Sequence, residues 1–141
     1  MTNRKEYHRK YARKYYWKNR DKCVQYIRLW RKHNPIKNWA GRSLSRHKEW
    51  GYNVKVNRDY LEELRRNTKN CCYCNCKLKS GKKKLWAKSP TLDVIDGSKN
   101  VTVGNIQVIC HRCNMTKQNR THEQFVDYCS NIVNKFPTRK K

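Results

Sequence analysis

The feature that most constrains this chain is a pair of cysteine knuckles, Cys71-Cys72-Tyr73-Cys74 and Cys110-His111-Arg112-Cys113. Each Cys-x-x-Cys turn can present two sulfurs at the bite of a tetrahedral metal. Together they supply the four soft ligands that Zn²⁺ prefers. Cys71, Cys74, Cys110 and Cys113 are therefore expected to hold one structural zinc ion. Four protein ligands leave no open position, so this zinc would hold the fold and take no part in catalysis.

Between the knuckles lie two short apolar runs, Thr91 to Ile95 and Ile106 to Cys110, each of strand length. The polar, glycine-punctuated segment from Asp96 to Asn105 suits a loop between antiparallel strands. After Cys113 the pattern turns helical, so the expected order is strand, loop, strand, helix. Further on, Thr121-His122-Glu123-Gln124 has the form of a capping box. Phe125, Tyr128, Cys129, Ile132, Val133 and Phe136 then follow at helical spacing, which predicts a core-facing helix ended by Pro137.

With these residues in view, the sequence resembles the HNH, or ββα-metal, endonucleases. The resemblance is carried by Leu92-Asp93-x-Ile95-Asp96, Gly104-Asn105-Ile106-Gln107-Val108-Ile109-Cys110 and Cys113-Asn114-x-x-Lys117. It is strongest to small phage-type members with a zinc-knuckle pair, and it covers about a third of the chain. It implies a divalent cation, Mg²⁺ or Mn²⁺, held by Asp93 and Asn114, with Asn105 bracing the loop. The family's Cys-x-Tyr-Cys arrangement favours Cys71 and Cys74 as zinc ligands. Cys76 stays open as an alternative, and Cys72 has no assigned role. One position departs from the pattern. Most of the family has a general-base His directly after the first-strand Asp, and a variant branch has Arg, whereas this chain has Val94. A base would have to come from Asp96, His111, a tyrosine of the N-terminal segment, or hydroxide at the cation.

Charge points to the partner. The 141 residues include 35 Lys and Arg against 10 acids, a formal charge of +25. Such an excess favours a polyanion, and nucleic acid is the usual one. With 36% hydrophobic residues the core is modest, so zinc would add stability that burial alone does not supply. No long apolar run or lipidation signal suggests a membrane partner. No apolar segment follows the basic N-terminus as in a secretory signal. Paired thiolates without secretion point to an intracellular, reducing compartment, the host cytoplasm if the chain is phage-encoded. Residues 1–20 are also amphipathic and Arg-containing, as a mitochondrial presequence is, but Glu6 and the many aromatics favour a nucleic-acid arm.

That arm reads as one long helix, or two, ending near His33 before Asn34-Pro35. Tyr7, Tyr11 and Tyr15 recur every four residues, and Cys23, Tyr26, Ile27 and Trp30 continue an apolar face. Its cations Arg9, Arg13, Lys14, Lys18, Arg28 and Arg31 are expected at phosphates, as is Lys117. Its rings either dock the arm or stack on bases. A helix over residues 36–50 carries Trp39, Ala40, Leu44, His47 and Trp50 near one stripe, with Gly51 as its cap. His47 is read there as an ordinary helix residue and not as a ligand. Tyr52 to Val56 suits an extended piece, and Asn57 caps a helix bearing Tyr60, Leu61 and Leu64. Cys23 and Cys129 read as small apolar residues. Lys82-Lys83-Lys84 is a solvated loop or a phosphate contact.

The expectation is an α+β protein. A mainly helical arm (1–56) precedes a zinc-stapled ββα-metal module with a C-terminal helix (57–136) and a basic tail (137–141). The function expected is metal-dependent hydrolysis of phosphodiester bonds in double-stranded DNA, through Asp93, Asn114 and Asp96. The alternative is a zinc-stapled DNA- or RNA-binding protein that has lost cleavage. A transcription-factor-like zinc module lacks a reading helix. A homodimer is compatible with either function.

Overall fold

In the computed structural model the described residues are 4–79 and 86–136. The Lys82-Lys83-Lys84 loop and the tail after Phe136 lie outside them. By its internal contacts the chain forms two compact units, Met1–Asn38 and Trp39–Lys141.

In the first unit the helical arm resolves into α1 (Arg4–Lys18) and α2 (Arg20–His33), separated at Asn19. The second helix stops because Pro35 drives Asn34 out of helical geometry, to φ −123° and ψ 54°. Neither helix contains a buried residue. Tyr7, Tyr11 and Tyr15 are 64%, 62% and 56% exposed, so the four-residue recurrence of these rings marks a surface stripe, not a core face. Cys23 is half-buried.

The second unit begins within α3 (Pro35–Glu49) and continues through α4 (Arg58–Asn67), β1 (Pro90–Val94), β2 (Ile106–Cys110), α5 (His111–Lys117) and α6 (His122–Lys135). The strands pair antiparallel, with Asp93 opposite Gln107 and Val94 opposite Ile106. All five residues of β1 are buried. One cluster of apolar residues joins Ala40, Leu61, Leu92, Val94, Val101 and Ile106. Another surrounds the cysteines with Leu78, Val108 and Ile109. The segment after α3 is extended as expected. Its backbone bonds residue 101 through Lys55 N to Val101 O at 2.9 Å and Val101 N to Asn53 O at 3.1 Å.

α3 docks through Ala40, Ser43 and His47, which recur at helical spacing on its buried face. The Trp39 indole N–H donates to the Pro90 carbonyl at 3.0 Å, tying this helix to the start of β1. Gly51 ends it in a left-handed conformation, φ 85°. The Gly51 and Tyr52 amides then close on the Lys48 and His47 carbonyls, both at 3.0 Å. That double closure wants a residue without a β-carbon.

Sequence periodicity overstates the core at α6. The capping box forms, with Thr121 N to Gln124 Oε1 at 2.9 Å and Gln124 N to Thr121 Oγ1 at 3.3 Å. Phe125 is buried, with its ring edge-on to Tyr73 at 4.9 Å. Beyond this first turn, however, Tyr128, Ile132, Val133 and Phe136 are 41%, 45%, 57% and 68% exposed. Cys129, one turn on from Phe125, is half-buried, so cover along this helix fades after Phe125 and is gone by its last turn.

Candidate functional site

The first knuckle is a tight hairpin. Cys71 N donates to Cys76 O at 3.0 Å, Asn75 N to Cys71 O at 2.9 Å, and Asn75 supplies the left-handed turn at φ 52°. The second knuckle sits at the junction of β2 and α5, where Cys110 caps the helix and its sulfur accepts from Cys113 N at 3.4 Å. The two knuckles meet in the apolar cluster that joins Cys71, Cys110 and Cys113 to Leu78, Val108 and Ile109. The four sulfurs of Cys71, Cys74, Cys110 and Cys113 lie within 4.8 Å of one another, and those of Cys74 and Cys110 are 3.6 Å apart. Zinc–sulfur bonds of about 2.3 Å in a tetrahedron put sulfurs about 3.8 Å apart. The cluster therefore fits a zinc-like ion, and its spacing is far beyond a disulfide bond of about 2.05 Å. Cys76 is outside the four. Cys72 has a separate partner: its thiol donates to Gln107 Oε1 at 3.1 Å.

From the knuckle a hydrogen-bond chain leads to Asp93. The Gln107 amide nitrogen donates both to Tyr73 Oη at 3.0 Å and to Asp93 Oδ2 at 2.9 Å. This follows from register, since Gln107 faces Asp93 across the strands. Burial pushes the Tyr73 phenol up to about 12, so it stays protonated. Asp93 Oδ1 faces the Lys117 ammonium at 3.2 Å, and the same ammonium donates to Val94 O at 2.9 Å. Both side chains are sealed in, Asp93 at 4% and Lys117 at 1% exposure. Burial raises the Asp93 carboxyl, opposed by the Gln107 hydrogen bond and by Lys117. Lys117, expected at phosphates, thus points inward: on α5 it falls one turn after Cys113, on the helix's buried side.

Asp93, Val94, Asn114 and Lys117 line one pocket of about 190 Å³ with His47, Trp50, Tyr52, Leu92, Gly97, Gln118 and Asn119. The Asn114 side-chain amide has no hydrogen-bond partner among the described residues. Gln118 holds φ 53° and ψ −130°, a conformation that an L-residue keeps only when its surroundings impose it. A divalent cation fits this donor set as a sparse site. Each Asp93 oxygen retains a lone pair after its present bond, Asn114 offers a free carbonyl oxygen, and the pocket has room for the waters Mg²⁺ keeps. The nearby Lys117 charge opposes it.

The remaining expected residues fall elsewhere. Asp96 does not line the pocket. It accepts from Ser98 N and Oγ at 3.0 and 2.7 Å, and pairs with Lys99 at 2.8 Å. The Lys99 contact, with Ser98, holds its carboxyl down to about 2. That acidity makes it a poor proton acceptor. Asn105 braces the loop, accepting from Asp96 N at 3.0 Å and donating to Asp96 O and Asn100 O at 3.1 and 2.9 Å. His111 is also outside the pocket. Arg9, Arg13, Lys14, Lys18, Arg28 and Arg31 are all exposed on α1 and α2.

Three residues of the site were not singled out from sequence as candidates: His47 and Tyr52, which line the pocket, and Gln107, which stands outside its lining and orients Asp93 through its amide. Gln107 was visible as a polar residue in an apolar strand, but its partner depends on register. His47 was visible on the α3 stripe, where a buried imidazole and an exposed one look alike.

No family model matches the chain, and no curated protein does. A solved structure does share its fold: the rare-cutting HNH restriction endonuclease PacI, 12% identical, with a TM-score of 0.51 over 68% of this chain and 75% of that one. A mixed helical fold with a small two-stranded sheet, four clustered cysteines and an HNH endonuclease as structural neighbour is what this chain presents.

Proposed function

We propose that the chain is a metal-dependent HNH-type endonuclease that hydrolyses phosphodiester bonds in DNA, with one Mg²⁺ or Mn²⁺ ion held by Asp93 and Asn114. The observation that carries this reading is their convergence on one pocket, within a fold shared with an HNH endonuclease. Such a cation, when bound, stabilises charge on the leaving 3′ oxygen and the phosphate. The protein's part is positioning. Gln107 and Lys117 fix the Asp93 carboxylate from two sides, and the zinc knuckle fixes Gln107 through Tyr73. The Asp93 and Lys117 charges cancel, so the scissile phosphate itself brings the negative charge that favours a cation there. The arm's exposed Arg and Lys residues hold the duplex by its phosphates. The products expected are a 5′-phosphate and a 3′-hydroxyl.

A second reading, a binding protein without cleavage, draws on Val94 and on the Lys117 ammonium already paired with Asp93. The two readings part on Asp93→Asn and Asn114→Ala. Under the nuclease reading each variant loses metal-dependent nicking of supercoiled plasmid while its DNA affinity stays within a few-fold of wild type. Nicking that survives both substitutions would remove these residues from the site.

A further inference from the structure

The missing base has a candidate outside the strand–strand–helix segment. His47 comes from α3, yet it lines the pocket with Asp93, Val94 and Asn114. Its Nδ1 lies 2.7 Å from the Ser43 carbonyl oxygen. A carbonyl only accepts, so Nδ1 carries the proton and the lone pair of the neutral ring is on Nε2. Nε2 has no hydrogen-bond partner among the described residues. His47 is 4% exposed overall. Glu62 Oε1, which faces Arg58 Nε at 3.5 Å, is the one fully buried side-chain oxygen or nitrogen without a hydrogen bond among the described residues, so Nε2 keeps a small opening to the pocket. The ring is held edge-on by Trp50 at 5.3 Å and tilted against Tyr52 at 5.7 Å, and the α3 cap ties Tyr52 N to His47 O. This is an oriented imidazole with its basic nitrogen free.

We propose that His47 is the general base of this nuclease, its Nε2 taking the proton of the attacking water in place of the residue that Val94 cannot be. The inference rests on the nuclease reading above. The water's O–H bond breaks toward Nε2 and its oxygen bonds to phosphorus. The bond from phosphorus to the 3′ oxygen breaks, and that oxygen leaves with the electron pair and takes a proton from solvent. His47 then returns its proton to solvent. The charged groups around it are Asp93 on β1, Lys117 on α5 and Arg46 on its own helix. Burial lowers the imidazole's proton affinity, partly offset by the Ser43 bond; Arg46 lowers it further and Asp93 raises it. A ring kept neutral near pH 7 is ready to accept a proton.

The test is nicking of supercoiled plasmid by the full chain with Mg²⁺ or Mn²⁺. His47→Gln should lower kcat by about 10²–10⁴-fold with DNA affinity and zinc content unchanged, and added imidazole should restore part of the rate to His47→Ala. Wild-type kcat/KM should fall about tenfold per pH unit below the imidazole's pKa, a limb that His47→Gln lacks. In zinc-loaded protein without added Mg²⁺ or Mn²⁺, ¹⁵N shifts of His47 should report the Nδ1–H tautomer. A His47→Gln rate within about threefold of wild type, or an Nε2–H tautomer, overturns the assignment. If His47→Gln does not fold, a wild-type profile with no acidic limb overturns it instead. Wild type that never nicks sinks the nuclease reading and this inference together. Wild type that nicks beside an equally active His47→Gln sinks only the inference.

Discussion

The two units of the chain use similar sequence patterns to opposite ends. In Met1–Asn38 an apolar stripe runs along two helices and none of their residues is buried. In Trp39–Lys141 a comparable stripe on α3 buries Ala40, Ser43 and His47 against β1 and its neighbours. Helical periodicity shows which residues share a face. It does not show whether anything covers that face. What distinguishes the second unit is the cysteine cluster, which closes it into a body with an inside. A short basic helix has no such closure and draws little stability from propensity alone.

The largest break in that comparison comes from the cluster. Cys110→Ser should remove about one zinc per chain and unfold residues 39–136, because structural zinc contributes about 10–16 kcal/mol in small domains. Elemental analysis and circular dichroism check both. Full zinc occupancy in a folded variant would show that Cys110 is no ligand. The next effect belongs to the arm. Deleting residues 1–34 should leave zinc content unchanged but flatten the dependence of log K on log salt. Loss of its six named cations alone would change the slope by about 5, at roughly 0.9 per phosphate. An unchanged slope would make the arm a structural element and not a contact surface.

Smaller effects sharpen the picture inside the second unit. Lys117→Met leaves the buried Asp93 carboxylate unpaired and should cost about 3–5 kcal/mol in urea unfolding, most of it recovered by adding Asp93→Asn. If the double variant is no better than the single, the pair is not what the lysine serves. On α6, Phe125→Ala should cost about 3–5 kcal/mol. Val133→Lys, eight residues on and 57% exposed, should stay within about 0.5 kcal/mol. Equal costs would mean that the far end of this helix is covered.

Much of the fold was legible because its signals are local. Asn57 accepts from Tyr60 N at 2.9 Å as an N-cap should, Gly51 takes the left-handed cap, and both strands fall where the apolar runs predict. The four-cysteine cluster was legible because Cys-x-x-Cys spacing is itself geometry. The pocket was only half legible. Asp93 and Asn114 stood out by resemblance, but the inward turn of Lys117 and the arrival of His47 depend on how α5 and α3 lie against β1. Neither helix's sequence carries that information. α6 failed for the same reason in reverse: its spacing was right and the partner surface was missing.

The central claim is that the second unit cuts nucleic acid with a cation at Asp93 and Asn114. The most direct measurement is incubation of the full chain with supercoiled plasmid in Mg²⁺ or Mn²⁺, and again in EDTA after zinc loading has been verified. The account predicts nicked circles with divalent metal and none in EDTA, with retained binding in both. Plasmid that stays supercoiled under every divalent metal, while the protein binds it tightly, would contradict the claim and leave a zinc-stapled nucleic-acid-binding protein.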